Sequence, residues 1–309
     1  MLDAIDRLRT NIAGVYLGDP EAIDRMIACL LARGHVLIED VPGVGKTILA
    51  TALARSVGCS FNRIQLTPDL LPSDVLGVSI YNRRTEEFEF KPGPIFAHIV
   101  LADEINRASP KTQSALLEAM NEATVSSDGV IRRLDPPFMV IATQNPADFE
   151  GAYPLPESQL DRFLMRLGLG YPTAQREADV IDLRPATGVI HDLTPAISRD
   201  EVLALQEQVD SVRLDRSLAD YIVSFAQATR EHEELRIGLS PRGALALAQA
   251  ARATAVLEGR DYCIPEDVTS NVRSVCAHRL LPSAQFGSGR QAAADRVIED
   301  VLERVEAPG

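Results

Sequence analysis

The sequence predicts an α/β fold, a parallel β-sheet with helices on both faces, followed by an all-helical lid. Three observations predict it. Short apolar runs alternate with helical periodicities as far as Gly170-Tyr171-Pro172. A glycine-rich loop, Asp40-Val41-Pro42-Gly43-Val44-Gly45-Lys46-Thr47, stands between the first apolar run and a helical pattern. From Thr173 onward only helical periodicity is seen. Alternation of this kind argues for parallel strands joined by helical crossovers. The change of character near residue 172 divides the chain into an α/β domain over residues 1–172 and a helical lid over residues 173–309.

Each element has its own signal. Strands are expected over residues 35–39, 62–66, 99–103, 138–143 and 163–169. The second and fourth carry the apolar residues expected of strands buried on both faces. Residues 1–9 mix charges into an amphipathic helix, and a helix over 47–57 follows the glycine-rich loop. Two hairpins interrupt the α/β part. Residues 78–81 and 87–90 alternate around Asn82-Arg83-Arg84-Thr85, and residues 124–127 and 130–134 flank Asp128-Gly129, a strong hairpin signal. In the lid, Ser198 with Glu201 makes a capping box. Ser240-Pro241 reads as an N-cap followed by proline at the first helical position, and Gly259 ends that helix. Pro265 opens a helix to about residue 280, and a last helix covers 290–305.

Composition narrows the function. The 309 residues are 46% hydrophobic, as in a globular protein with a full core. Net charge is −13, with no tryptophan and few aromatics, which weighs against a nucleic-acid partner. No stretch is long and apolar enough to span a membrane, and the charged start does not read as a signal peptide. Cys29, Cys59, Cys263 and Cys276 are scattered, as expected of reduced thiols in a cytoplasmic protein.

The chemistry collects around the glycine-rich loop. Gly43 and Gly45 allow positive φ and a close approach of backbone to polyphosphate, and the helix N-terminus adds partial positive charge. Lys46 would reach the β- and γ-phosphates and Thr47 would ligate Mg²⁺. The nucleotide-binding set is Pro42, Gly43, Val44, Gly45, Lys46, Thr47 and Ile48. Asp40 stands where the strict pattern has glycine. The run Ile99-Val100-Leu101-Ala102-Asp103-Glu104 is an apolar strand ending in two acids. Asp103 would hold Mg²⁺, largely through water, and Glu104 would position and activate the attacking water. Asn145, at the end of the fourth strand, either hydrogen-bonds that water or initiates a turn with Pro146. Arg162 either pairs with Asp161 or reaches a neighbouring subunit's γ-phosphate. Arg242 lies in the first turn of a lid helix, opposite to the end that suits arginine, which points either to a phosphate held between the two domains or to a salt bridge with a nearby glutamate.

As a set these residues resemble the MoxR-family AAA+ ATPases. The resemblance rests on Glu39-Asp40-Val41-Pro42-Gly43-Val44-Gly45-Lys46-Thr47, Asp103-Glu104-Ile105-Asn106-Arg107-Ala108 and Ala142-Thr143-Gln144-Asn145-Pro146. It is extended by Pro154-Leu155-Pro156-Glu157-Ser158-Gln159-Leu160-Asp161-Arg162-Phe163-Leu164 and by Ser240-Pro241-Arg242, and it covers nearly the whole chain. It implies a P-loop αβα sandwich whose five-stranded parallel sheet has the order 5-1-4-3-2. It implies that Lys46 is the Walker A lysine, that Asp103 and Glu104 form Walker B, and that Asn145 is sensor 1. Arg162 then matches the arginine finger and Arg242 matches sensor 2. The cofactors implied are ATP and Mg²⁺. The two hairpins fall where this clade carries its helix-2 insert and pre-sensor-1 hairpin. Similar proteins form hexameric rings, remodel protein clients as chaperones do, and often act with a partner bearing a von Willebrand factor A domain. The competing readings are a nucleic-acid motor, a magnesium-chelatase-type subunit and a scaffold that binds nucleotide without hydrolysis.

Overall fold

A computed structural model describes residues 2–145, 153–183, 190, 192–283 and 289–308. Pro146, the last residue of the sensor 1 motif, lies outside the described residues.

The α/β part begins with helices α1 (Leu2–Ala13) and α2 (Pro20–Leu31), then strand β1 (Val36–Glu39) and helix α3 (Lys46–Ser56). It continues with β2 (Phe61–Gln65), α4 (Pro72–Leu76), the hairpin β3 (Gly77–Asn82) and β4 (Glu87–Pro92), β5 (Ile99–Asp103) and α5 (Pro110–Glu122). The second hairpin, β6 (Thr124–Ser127) and β7 (Val130–Arg133), leads to β8 (Met139–Gln144), α6 (Glu157–Leu160) and β9 (Met165–Leu167). The central sheet has the order β2-β5-β8-β1-β9, with every pairing parallel. In sequence order of its five strands this is 5-1-4-3-2 read from the other edge, as the resemblance implies.

Register places the functional ends together. Glu39 pairs with Gln144 and Gln65 with Asp103, so four strands end along one edge of the sheet. In an open parallel sheet this carboxyl edge is where ligands bind. Alternation along the strands makes two cores. Val36, Ile38, Leu101, Ile141 and Met165 face one side, and Leu37, Val100, Ala102, Val140 and Ala142 face the other.

The expectation for β2 needs correcting. Arg63 and Gln65 are exposed, and only Ile64 is fully buried. The strand lies at the edge of the sheet, so one of its sides is open to solvent, and its polar residues alternate out of the core.

After α7 (Ala174–Leu183) come α8 (Arg199–Ser211), α9 (Arg216–Glu231), α10 (Pro241–Leu257), α11 (Pro265–Cys276) and α12 (Gly289–Arg304). The Ser198–Glu201 capping box is formed in both directions, at 3.2 and 2.7 Å. Ser240 accepts from Gly243 N at 3.1 Å, and Gly259 has φ of 72°, where only glycine is unstrained. Two features depart from helical periodicity alone. The helix from Pro265 gives way to a 3₁₀ turn over Ala277–Arg279, and Leu235–Ile237 pairs antiparallel with Leu281–Pro282 as β10 and β11. These strands are too short to carry a period. Leu205, Phe225, Leu247, Val272 and Val297 join the same buried cluster as β1 and α3, so the core on that face runs unbroken from the sheet into these helices.

Candidate nucleotide site

The glycine-rich loop joins β1 to α3. Gly43 and Gly45 have φ of 88° and 92°, and Gly45 is the N-cap of α3. The positive φ demands glycine there, and a Cβ on Gly45 would also lie a tight 3.3 Å from the Tyr16 ring. Pro42 and Gly43 are exposed, Val44 is buried, and Lys46, Thr47 and Ile48 are half-buried in the first turn of the helix. Lys46 Nζ donates to the carbonyls of Asp40 at 2.6 Å and Gln144 at 3.3 Å, which sets its ammonium between the ends of β1 and β8.

The paired acids stand at the end of β5, two strands from β1. Asp103 is 8% exposed. Its Oδ1 accepts from Thr143 Oγ1 at 2.5 Å and its Oδ2 pairs with Arg63 Nη2 at 2.6 Å. Glu104 follows with φ of 57°, a left-handed conformation that costs a glutamate about 1–3 kcal/mol and is held by its surroundings. Its amide donates to Thr143 Oγ1 at 2.9 Å, and its carboxylate accepts from Gln65 Nε2 at 3.0 Å with Arg107 3.4 Å away. Thr143 thus orients both acids from β8. Asn145 follows the last residue of β8, and Asn106 Nδ2 reaches its carbonyl at 3.4 Å.

These donors fit Mg²⁺. Asp103 and Thr47 are hard oxygen ligands of the kind Mg²⁺ selects. When bound, the ion would neutralise developing charge on the transferred phosphoryl group. Among the described residues, no cluster of histidine, cysteine and acidic side chains suggests another metal.

The two expected arginines come together elsewhere. Arg162 Nη1 donates to Leu117 O at 2.6 Å, beside Asn121 and Gln159 in one shallow cavity. Arg242 donates to Asn121 Oδ1 and stands 4.0 Å from Asp161. Both guanidinium groups are therefore held against α5 and the segment before β9, and neither has a described contact with Pro42–Thr47. Asp161 does not pair with Arg162. It takes Arg279 Nε at 2.8 Å, and Arg279 also donates to the carbonyls of Phe163 and Leu164 at 2.7 and 3.1 Å. A crevice of about 1000 Å³ separates the strand ends from the later helices, with Glu39, Gln144, Asn145, Gly168, Ser270 and Arg273 in its walls. No residue of Pro42–Ile48 lines it, so it does not extend the phosphate loop.

Sequence reasoning missed Arg63, Gln65, Thr143 and Arg279. Their partners are far along the chain, and no spacing announces them. Asp40 likewise accepts from Leu169 N and Gly170 N, partners far along the chain that no local pattern announces.

Residues 35–165 match the ATPase family associated with various cellular activities (AAA), and residues 227–301 match the AAA lid domain. Chaperone MoxR1 of Mycobacterium tuberculosis is 41% identical over 313 residues, spanning 98% of this chain and 82% of MoxR1. The chain belongs to the MoxR family of AAA+ ATPases. It is accordingly an ATP hydrolase. The MoxR-family chain is also 51% identical to YeaC of Bacillus subtilis over 300 residues, 96% of this chain and 93% of YeaC. A crystal structure of a protein from Cytophaga hutchinsonii assigned as an ATPase superposes with a TM-score of 0.90 at 35% identity, covering 100% of this chain and 96% of that one.

Proposed function

We propose that this MoxR-family protein couples Mg²⁺-dependent ATP hydrolysis at subunit interfaces to chaperone-like remodeling of a protein client. The observation that carries the reading is the separation of charges. Lys46 and the two acids gather at the carboxyl edge of the sheet, whereas Arg162 and Arg242 gather against α5. A site that needs all of them draws the arginines from a neighbouring copy, as a ring supplies. Lys46 and the loop amides bind the phosphates, Thr47 and Asp103 hold Mg²⁺, Glu104 takes the proton of the attacking water, and Asn145 orients that water. Arg162 and Arg242 stabilise charge on the γ-phosphate from across the interface, an effect worth about 10³–10⁵ in rate for a finger of this kind.

A hexamer, a partner with a von Willebrand factor A domain and a cytoplasmic location belong to the same proposal. The hairpins support a protein client. Val78, Ile80, Tyr81 and Phe88 on the first and Val130 and Ile131 on the second are exposed, and Ser79 donates to Asp128 to tie one hairpin to the other. Exposed apolar residues gathered in this way mark contact surfaces.

The experiment is ATP hydrolysis measured over a wide range of protein concentration, with Glu104→Gln alongside. Specific activity should rise with concentration, and Glu104→Gln should bind ATP without turning it over. A normal rate for Glu104→Gln would remove it as the base. A rate strictly proportional to protein, from a species whose mass is that of a monomer, would remove the shared site.

A further inference from the structure

Asp103 has two separate holds. Thr143, from the neighbouring strand, hydrogen-bonds one oxygen at 2.5 Å. The other oxygen is 2.6 Å from Arg63 Nη2. Arg63 reaches it from the edge strand β2, where its side chain is 51% exposed while that of Asp103 is 12% exposed. One partner of this ion pair is therefore buried in the sheet, and the other stands at a margin where it can move without opening the core.

A divalent ion held by Asp103 would compete with Arg63. Both are attracted to the same carboxylate, and they repel each other. The repulsion between a divalent ion and a guanidinium held on one carboxylate is stronger near a protein surface than in bulk water. Arginine does not lose its proton, so the conflict is resolved by displacement.

We propose that Arg63 is the resident counter-ion of Asp103 and is displaced by Mg²⁺, so that it sets the Mg²⁺ concentration at which nucleotide is bound. The proposal rests on the reading of Asp103 as a metal ligand. Arg63 acts here as a positioning residue. It keeps the carboxylate charged and oriented before the ion arrives, and it raises the amount of Mg²⁺ needed to take its place. A second consequence follows from its neighbour. Arg63 Nη2 also lies 3.3 Å from Gln65 Oε1, and Gln65 holds Glu104 at 3.0 Å. Departure of Arg63 therefore removes one of the contacts that keep Gln65 on Glu104.

The test is binding of a fluorescent, non-hydrolysable ATP analogue to the full chain, titrated with Mg²⁺ at fixed nucleotide. Arg63→Gln should lower the half-saturating Mg²⁺ concentration about fivefold or more, and Arg63→Lys, which keeps the charge, should stay close to wild type. Thermal melting checks that each variant is folded, and Arg63→Met replaces Arg63→Gln if that protein does not fold. An unchanged or raised half-saturation in the neutral variants overturns the proposal, as does a lysine variant that moves as far as the glutamine one. Failure of the underlying reading looks different, because Asp103→Asn would then leave the half-saturating Mg²⁺ concentration of the wild-type protein unchanged.

Discussion

The carboxylate of Asp40 accepts from Val41 N, Leu169 N and Gly170 N, each at 2.7 Å. Where the strict loop pattern has glycine, this chain has an anchor that joins the start of the loop to the chain leaving β9. A single residue can also carry a pH response. His35 is buried, with Nδ1 accepting from Val140 N at 2.9 Å and Nε2 donating to Met120 O at 2.9 Å. Burial lowers its pKa to about 4, so the folded protein keeps it neutral where an unfolded chain protonates it at about 6.5. The unfolded state then binds more protons between those values. Stability is retained above pH 6.5 and lost as pH falls toward 4, by on the order of 2 kcal/mol at pH 5 from this group alone. Denaturant unfolding at pH 7 and pH 5 should show that loss in the wild type and a smaller one in His35→Gln, whose overall stability is lower. Equal pH slopes for the two proteins would remove His35 as the source.

At the scale of elements, the two hairpins were legible because alternation and Asp128-Gly129 are local signals, and both formed close to where they were expected. Their closure needed more. A Cβ on Gly77 would meet Lys91 O at 2.4 Å, and one on Gly93 would meet Val75 O at 2.3 Å, so the neck of the first hairpin admits only glycine at both places. Arg132 of the second hairpin lies 3.7 Å over the Phe90 ring of the first, a contact that no local pattern foretells. The 3₁₀ turn after α11 matters for the same reason, because it delivers Arg279 to Asp161. The Arg279 side chain is 3% exposed and that of Asp161 25%. Removing one member of such a pair leaves the other uncompensated. Arg279→Met should cost on the order of 3 kcal/mol in denaturant unfolding. It should also lower ATPase activity by loosening the segment that holds Arg162. Adding Asp161→Asn should cost less than the sum of the single changes, and strict additivity would mean that the pair does not interact.

For the whole molecule, the distribution of charges makes a prediction that no single chain can satisfy. Lys46→Ala removes the phosphate lysine and leaves the arginine face intact, while Arg162→Ala does the reverse. Each alone should be inactive. Mixing them should restore part of the activity, because some interfaces then join an intact loop to an intact Arg162. Activity should peak near equal amounts, and no recovery at any ratio would place Arg162 outside a neighbour's site. The absence of any described helix long and apolar enough to cross a membrane agrees with the composition.

The sequence by itself determined the strands of the α/β part and the phosphate loop of this protein, since each is encoded by residues adjacent in the chain. A strand is an apolar run, a cap is a serine three residues before its partner, and a loop that must take positive φ declares its glycines. Tertiary structure alone decided which groups hold those residues in place. Arg63 meets Asp103 because β2 lies beside β5, Thr143 orients both acids from the next strand, and Arg279 reaches Asp161 across more than a hundred residues of sequence. It also decided that Arg63 and Gln65 of β2 face solvent and that Arg162 and Arg242 share a face. These are pairings between distant segments, and they are set by the order of strands in the sheet and the packing of helices on it, which local periodicity does not contain.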